Sequence, residues 1–116
     1  MKFNTLIDFI QFFANEYSIV GNKILILGMF EPSIKMIFDF INCETFFVND
    51  VPGVGFDIIT DYDNLPFEEK SFDIILNFTP FYFFDFLKEN GTILTVGEIL
   101  NGKDYYHFCD KIFTVL

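Results

Sequence analysis

The sequence predicts a single α/β domain with a mainly parallel sheet of about five to six strands and helices on both faces. Short apolar runs such as KILIL at 23–27 alternate with segments of helical periodicity. Neighbouring parallel strands need crossover connections, which are usually helical, so this alternation favours a parallel sheet. A chain of 116 residues is the size of one domain and can bury a core, so residues 1–116 are expected to fold as one unit.

Three segments are predicted to be helical. Apolar residues recur at three- and four-residue steps over about 3–16, within an N-terminal segment 1–20 that we expect to pack on the sheet. A second helix is expected to begin at Glu31-Pro32-Ser33, because proline is tolerated in a first turn and an acidic group there faces the positive end of the helix dipole. The third is a short helix at 82–89.

Six segments are predicted to be strands, the last less distinct than the others: 23–27, 45–48, 56–60, 72–78, 92–96 and 111–116. The second and third are separated by 51–55 (VPGVG), whose proline and glycines favour a turn. So short a connection conflicts with a helical crossover between parallel strands. The sequence therefore leaves open whether both strands are parallel members of the sheet.

Charge and composition exclude several classes of function. The formal net charge of −10 repels phosphate backbones and anionic membranes, so we expect neither direct nucleic-acid binding nor membrane binding. One His and two Cys argue against His-based metal sites and Ser-His-Asp hydrolysis, and we expect no metal site. Cys43 and Cys109 are expected to be ordinary thiols.

The chain is expected to be cytoplasmic. Its longest stretch without a charged residue, Ile74 to Phe84, is far shorter than the ~20 apolar residues of a spanning helix. The N-terminal MKFNTLIDFIQFF has Asp8 inside its apolar part and no small-residue cleavage site, unlike a signal peptide.

Phenylalanine is unusually abundant, with 19 Phe and no Trp. This composition is consistent with a codon bias towards A and T. A domain of this size cannot bury all 19 rings, and an exposed apolar patch of several hundred Å² usually marks an interface. We therefore expect a homo-oligomer or a protein partner.

Two segments go beyond a generic α/β pattern. The stretch 61–76 (DYDNLPFEEKSFDIIL) resembles the class I S-adenosylmethionine-dependent methyltransferases, in which an acidic residue after strand three precedes Leu-Pro-Phe and then Ser-Phe-Asp. The stretch 86–96 (FLKENGTILTV) resembles that family's Leu-Lys-Pro-Gly-Gly segment before strand five, with Glu89-Asn90-Gly91 in its tight turn. The resemblance spans about residues 23–97 and implies a Rossmann-like fold that binds S-adenosylmethionine.

The resemblance implies cofactor contacts after strand one, where the family has an acidic residue and a Gly-x-Gly-x-Gly loop. Gly28 and Met29 are the candidates here. Ile26 replaces the acidic residue, and Phe30 and Pro32 replace the second and third glycines. The Phe30 ring would either fill the space that a cofactor needs or stack over part of the cofactor.

The resemblance implies two further cofactor contacts. Asp50 stands where an acidic residue binds both ribose hydroxyls, although it could instead cap the turn that follows it. Asp61 stands where a carboxylate contacts the adenine amino group, with a backbone amide of Tyr62 reaching the ring. Asp61 is equally consistent with a solvated acidic loop that also contains Asp63, Glu68 and Glu69.

A candidate substrate site follows strand four. Asn77-Phe78-Thr79-Pro80-Phe81-Tyr82 partly resembles the Asn/Asp-Pro-Pro-Tyr/Phe motif of methyltransferases that act on amino groups. Asn77 would accept a hydrogen bond from the amine, and Phe81 or Tyr82 would stack on it. The paired prolines are absent.

Three functions remain open from the sequence. The first is a reduced methyltransferase, truncated relative to the seven-stranded family because its last two antiparallel strands are expected to be missing. The second is a catalytically inactive methyltransferase-like subunit that grips a partner through Phe-rich surface. The third is another small Rossmann-like domain that binds a nucleotide or a metal.

Overall fold

The computed structural model describes residues 2–97, 102–108 and 111–116. Within these ranges the chain forms two α-helices and one eight-stranded sheet. The helices are α1 (Leu6–Glu16) and α2 (Pro32–Phe40). The strands are β1 (Lys2–Phe3), β2 (Lys23–Leu27), β3 (Glu44–Asn49), β4 (Ile58–Ile59), β5 (Phe72–Asn77), β6 (Leu87–Val96), β7 (Asp104–Phe108) and β8 (Lys111–Val115). Cys109 lies outside the described residues.

The sheet is mixed, in the order β1-β7-β8-β6-β5-β2-β3-β4. Strands β4, β3, β2, β5 and β6 pair in parallel. Strand β8 is antiparallel to both β6 and β7, and the short β1 pairs in parallel with β7 at the edge. The expected truncation is wrong, because an antiparallel pair, β7 and β8, continues the sheet beyond β6.

Both helices cover the same face of the sheet. Side chains alternate along a strand, so Ile24 and Ile26 of β2 face the helices while Leu25 and Leu27 face the other way. The helix face holds Phe9 and Phe13 of α1 and further residues of α2 in one buried cluster. Thr5 caps α1 by accepting the Asp8 N–H, and Glu31 caps α2 by accepting the Ser33 N–H.

The opposite face is covered by loops. Leu65 and Phe67, in the segment between β4 and β5, and Phe83 and Phe86 after β5 pack against it. The predicted helix at 82–89 is wrong: the chain forms a 3-10 turn at Phe84–Phe86 and enters β6 at Leu87.

The predicted Rossmann-like fold, with helices on both faces of a mainly parallel sheet of five to six strands, is therefore wrong. The described residues form a mixed eight-stranded sheet with two α-helices on one face. The error has a physical origin, since a crossover between parallel strands needs enough chain to return but does not need a helix.

The short connection between β3 and β4 shows this directly. Strand β4 has two residues and pairs with the last two residues of β3, so the chain has only a short distance to travel back. The Asp57 carboxylate accepts the Phe47 N–H at 2.9 Å, and the Asp57 N–H donates to the Phe47 carbonyl at 2.8 Å. These bonds hold the loop without a helix, and both strands remain parallel.

Candidate functional site

A cleft of about 640 Å³ lies where β3, β4 and β5 end. Parallel strands point the same way, so the loops that follow them meet at one edge of the sheet, where ligands bind in open α/β sheets. One aspartate follows β3, a group of residues follows β4, and an aromatic run follows β5. The lining residues are Asp50, Asp61, Tyr62, Asp63, Phe81, Tyr82, Phe83, Asp85 and Phe86.

Four of the seven predicted site residues meet in this cleft: Asp50, Asp61, Tyr62 and Tyr82. They come from three separate segments of the chain, 11 or more positions apart except for the adjacent pair Asp61 and Tyr62. Asp50 and Asp61 are exposed, so both carboxylates are accessible to a ligand.

Contacts of both the hydroxyl and the ring hold the Tyr62 side chain in the wall of the cleft. Its hydroxyl donates to Asn49 Oδ1 at 3.0 Å, and Asn49 Nδ2 in turn donates to the Val51 carbonyl at 3.2 Å. Its ring meets those of Phe81 and Phe83 at centroid distances of 5.9 and 5.6 Å. Burial, followed by the negative charge of Asp50, raises the pKa of the Tyr62 hydroxyl.

Tyr82 stands at the rim of the cleft. Its side chain is 62% exposed and its ring stacks on that of Phe84, with centroids 6.0 Å apart and planes 10° from parallel. An exposed aromatic face at a cleft rim can stack on the flat or cationic part of a ligand.

Asn77 does not line the cleft. It is 1% exposed, and its amide donates to the Phe81 carbonyl and to Thr95 Oγ1, the latter at 3.1 Å. Its Oδ1 accepts the Thr79 N–H at 3.0 Å and the Thr79 hydroxyl at 2.7 Å. Asn77 therefore positions the turn at 78–81, which carries Phe81 into the cleft.

Gly28 and Met29 lie outside the cleft lining. Gly28 has φ +84, and a Cβ at this position would lie 2.8 Å from Thr79 Cγ2, so the turn after β2 packs closely against the turn after β5. Met29 is half-buried and packs against the helix-side core. Ile26, at the position of the family's acidic residue, is fully buried in that same core.

The Phe30 ring fills space rather than lying open. It meets Phe47 edge-on at 5.0 Å and Phe56 at 6.3 Å. The ring also lies directly over Gly55, whose φ is +90, so closely that a Cβ there would overlap it. Phe30 thus ties the turn after β2 to the loop between β3 and β4.

The sequence-based reasoning missed Phe83, Asp85 and Phe86 as lining residues. All three fall in the segment that was predicted to be a helix, where an aromatic run interrupted by one carboxylate gave the only signal. Asp63, interpreted as part of a solvated loop, also lines the cleft.

The cleft is acidic and aromatic. Four of its nine lining residues are aspartates, five are aromatic, and none is a lysine. Among the described residues, no group of three or more His, Cys, Asp or Glu side chains is arranged to hold a metal ion. No helix in the described part of the chain is long and apolar enough to span a membrane.

Comparisons with models of protein families, with curated proteins and with solved structures found no match to this chain.

Proposed function

We propose that this protein is a divergent, methyltransferase-like domain of the cytoplasm that binds S-adenosylmethionine by its adenosine end. The observation that carries the proposal is the convergence of Asp50, Asp61, Tyr62 and Tyr82 on one cleft. The resemblance of linear segments assigns these residues to cofactor and substrate, and their shared cleft supports that assignment.

The residues of the cleft suit a purine nucleoside. A carboxylate accepts hydrogen bonds from vicinal hydroxyls, so Asp50 would hold the ribose, and Asp61 would accept from the adenine amino group. Phe81, which is 54% exposed, offers aromatic surface for the flat purine beside Tyr62. The volume of about 640 Å³ lies within the range of about 300–1,000 Å³ typical of ligand sites.

The charge of the cleft supports a cationic cofactor. Four aspartates with no lining lysine create a negative potential that favours a sulfonium over a neutral thioether. When bound, S-adenosylmethionine supplies an electrophilic methyl group, whose transfer depends mostly on alignment. The contribution of this chain is therefore to bind and orient, with Tyr82 at the rim on the side of an acceptor.

The methionine end of the cofactor has weaker support. Gly28 and Met29 do not line the cleft, and Phe30 occupies space over Gly55 next to the turn after β2. This packing favours a second candidate function, a catalytically inactive methyltransferase-like module that works through contacts with another protein.

Calorimetric titration with S-adenosylmethionine, S-adenosylhomocysteine and adenosine tests the first candidate. We expect micromolar binding of S-adenosylmethionine, at least about 10-fold weaker in Asp50→Ala because the ribose loses a charge-assisted hydrogen bond. Glu69→Gln is the matched control, since it removes an exposed carboxylate outside the cleft.

Two outcomes separate the candidates. S-adenosylmethionine binding that is tighter than S-adenosylhomocysteine binding, with a difference that shrinks as NaCl is raised, supports the acidic cleft as the cofactor site. Absence of saturable heat up to millimolar ligand, with the protein folded, contradicts the proposal and leaves the inactive module as the working function.

A further inference from the structure

The two helices leave an apolar groove between them on the outer side of the molecule. The groove has a volume of about 480 Å³ and is lined by Ile7 and Gln11 of α1, Ser33, Met36, Ile37 and Phe40 of α2, and Ile41. A smaller hollow of about 260 Å³ continues it past Val20 and shares Gln11, Ile37 and Ile41. We refer to the two together as the helix groove.

Large apolar side chains project beside the helix groove. Phe40 is 87% exposed, Met36 is 70% exposed and Val20 is 65% exposed. Met36 and Phe40 are four residues apart on α2, so they form one ridge along one side of that helix. A ridge and a hollow of similar apolar character thus lie side by side on the same face.

No lining residue of the helix groove is charged. In a chain of net charge −10, this face is one on which a second copy can dock without bringing like charges into direct contact. A basic partner would instead be drawn to the carboxylates, such as those of the cleft described above. The neutrality of the groove therefore favours a copy of the same chain over a basic protein.

The charged residues that flank the helix groove on α2 also allow a second copy of the chain to dock there. Lys35 and Asp39 form an i,i+4 ion pair at 3.2 Å, so the flank offers one group of each sign. In a two-fold interface the same patch meets itself, and a patch with both signs can place a cation opposite a carboxylate.

We propose that the helix groove is a homodimer interface in which Phe40 and Met36 of each copy enter the groove of the other. This arrangement is closed and two-fold, because ridge and groove are on one face. Two short helices cover a small area, near or below the ~1,200 Å² at the lower end of stable interfaces, so we expect a weak dimer whose population depends on protein concentration. The proposal is independent of the cofactor cleft, since no residue lines both.

Sedimentation velocity of the full chain under reducing conditions, from about 1 to 200 μM, tests the proposal. We expect a shift from the 13.6 kDa monomer to the dimer over this range. The dimerisation affinity should be at least about 30-fold lower in Phe40→Asp and in Met36→Glu. The exposure of both side chains predicts that the variants fold, which circular dichroism checks. Val54→Asp is the matched control, because Val54 is 92% exposed but lies outside the helix groove.

Salt gives a second readout. Screening weakens the repulsion between two chains of charge −10, so association is expected to strengthen between about 0.05 and 0.5 M NaCl. A chain that stays monomeric at 200 μM and 0.5 M NaCl, or a dimer that Phe40→Asp and Met36→Glu leave unchanged, overturns the proposal. A dimer weakened equally by Val54→Asp also overturns it.

Discussion

Individual polar side chains of β5 add hydrogen bonds to the neighbouring strands at both ends of the strand. Asp73 of β5 accepts the Lys23 N–H of β2 at 2.9 Å and the Lys88 ammonium of β6 at 3.1 Å. Asn77, at the other end of β5, joins the turn at 78–81 to Thr95 of β6. Both ends of this central strand are therefore tied to its neighbours by side chains.

We expect Asp73→Ala to make the protein less stable at neutral pH. We also expect its unfolding free energy to change less as the pH is lowered. Burial raises the pKa of Asp73, but the bonds from Lys23 and Lys88 outweigh this effect and lower it below the ordinary value. A carboxyl whose pKa is lowered in the folded state stabilises the fold at pH values above its unfolded pKa of about 3.9. This stabilisation is lost as the pH falls through the pKa of the folded state.

Urea unfolding at pH 7 and pH 3 measures this effect. The variant should lose about 1–2 kcal/mol of unfolding free energy at pH 7. The difference in unfolding free energy between the variant and the parent chain should be smaller at pH 3. Glu69→Gln should show no such gap at either pH. A gap that is equal at both values would show that the carboxylate charge plays no part.

Asn77→Ala is expected to cost about 2–4 kcal/mol of unfolding free energy. The substitution removes the partners of the Thr79 N–H and the Phe81 carbonyl in a buried site, and unsatisfied buried groups are expensive. Equilibrium denaturation measures the loss, with the exposed Asn90→Ala as control. A cost below about 0.5 kcal/mol would mean that water replaces these bonds.

At the level of elements, a loop covers the sheet face that helices would cover in a doubly wound fold. The segment from β4 to β5 crosses β3 and β2, because those strands lie between them in the sheet. Phe67 in this segment meets Phe72 at 5.0 Å and Phe46 at 5.4 Å, both edge-on. Phe67, together with Leu65, thus holds an irregular segment against a buried sheet face.

We expect Phe67→Ala to cost about 2–4 kcal/mol of unfolding free energy although the residue is in a loop, because it removes a large ring from a packed cluster. Phe84→Ala is the matched control, since Phe84 is 48% exposed and its ring stacks on that of Tyr82. It should cost less than about 1 kcal/mol. Equal losses in thermal or urea unfolding would refute the assignment of Phe67 as the anchor of this face.

On the scale of the whole molecule, the two candidate binding surfaces differ in the chemistry of their lining residues. The cleft at the ends of β3, β4 and β5 is lined by aspartates and aromatic rings, whereas the helix groove is lined by uncharged, mostly aliphatic groups. The net charge of −10 favours cationic ligands at the first, whereas the uncharged lining of the second brings no like charges into direct contact with a second copy. Binding of ligand and self-association can therefore be tested separately.

Local patterns were sufficient for much of the secondary structure. The strand at 23–27 and the start of α2 at Pro32 agree with the prediction, because a short apolar run and a proline after an acidic residue act within a few residues. The tight turn expected at Glu89-Asn90-Gly91 does not form. These residues lie within β6, at a shift in its register with β5, and neither Asn90 nor Gly91 has a positive φ.

The sequence by itself determined the charge, the two helices and most strands, and the linear segments that supply Asp50, Asp61, Tyr62 and Tyr82. Only the tertiary structure decided that these residues share a cleft, that Asn77 is buried behind it, and that both helices lie on one face. Strand pairing and the path of each crossover join residues far apart in the chain. No local pattern records such contacts, because their free energy depends on which surfaces meet after folding.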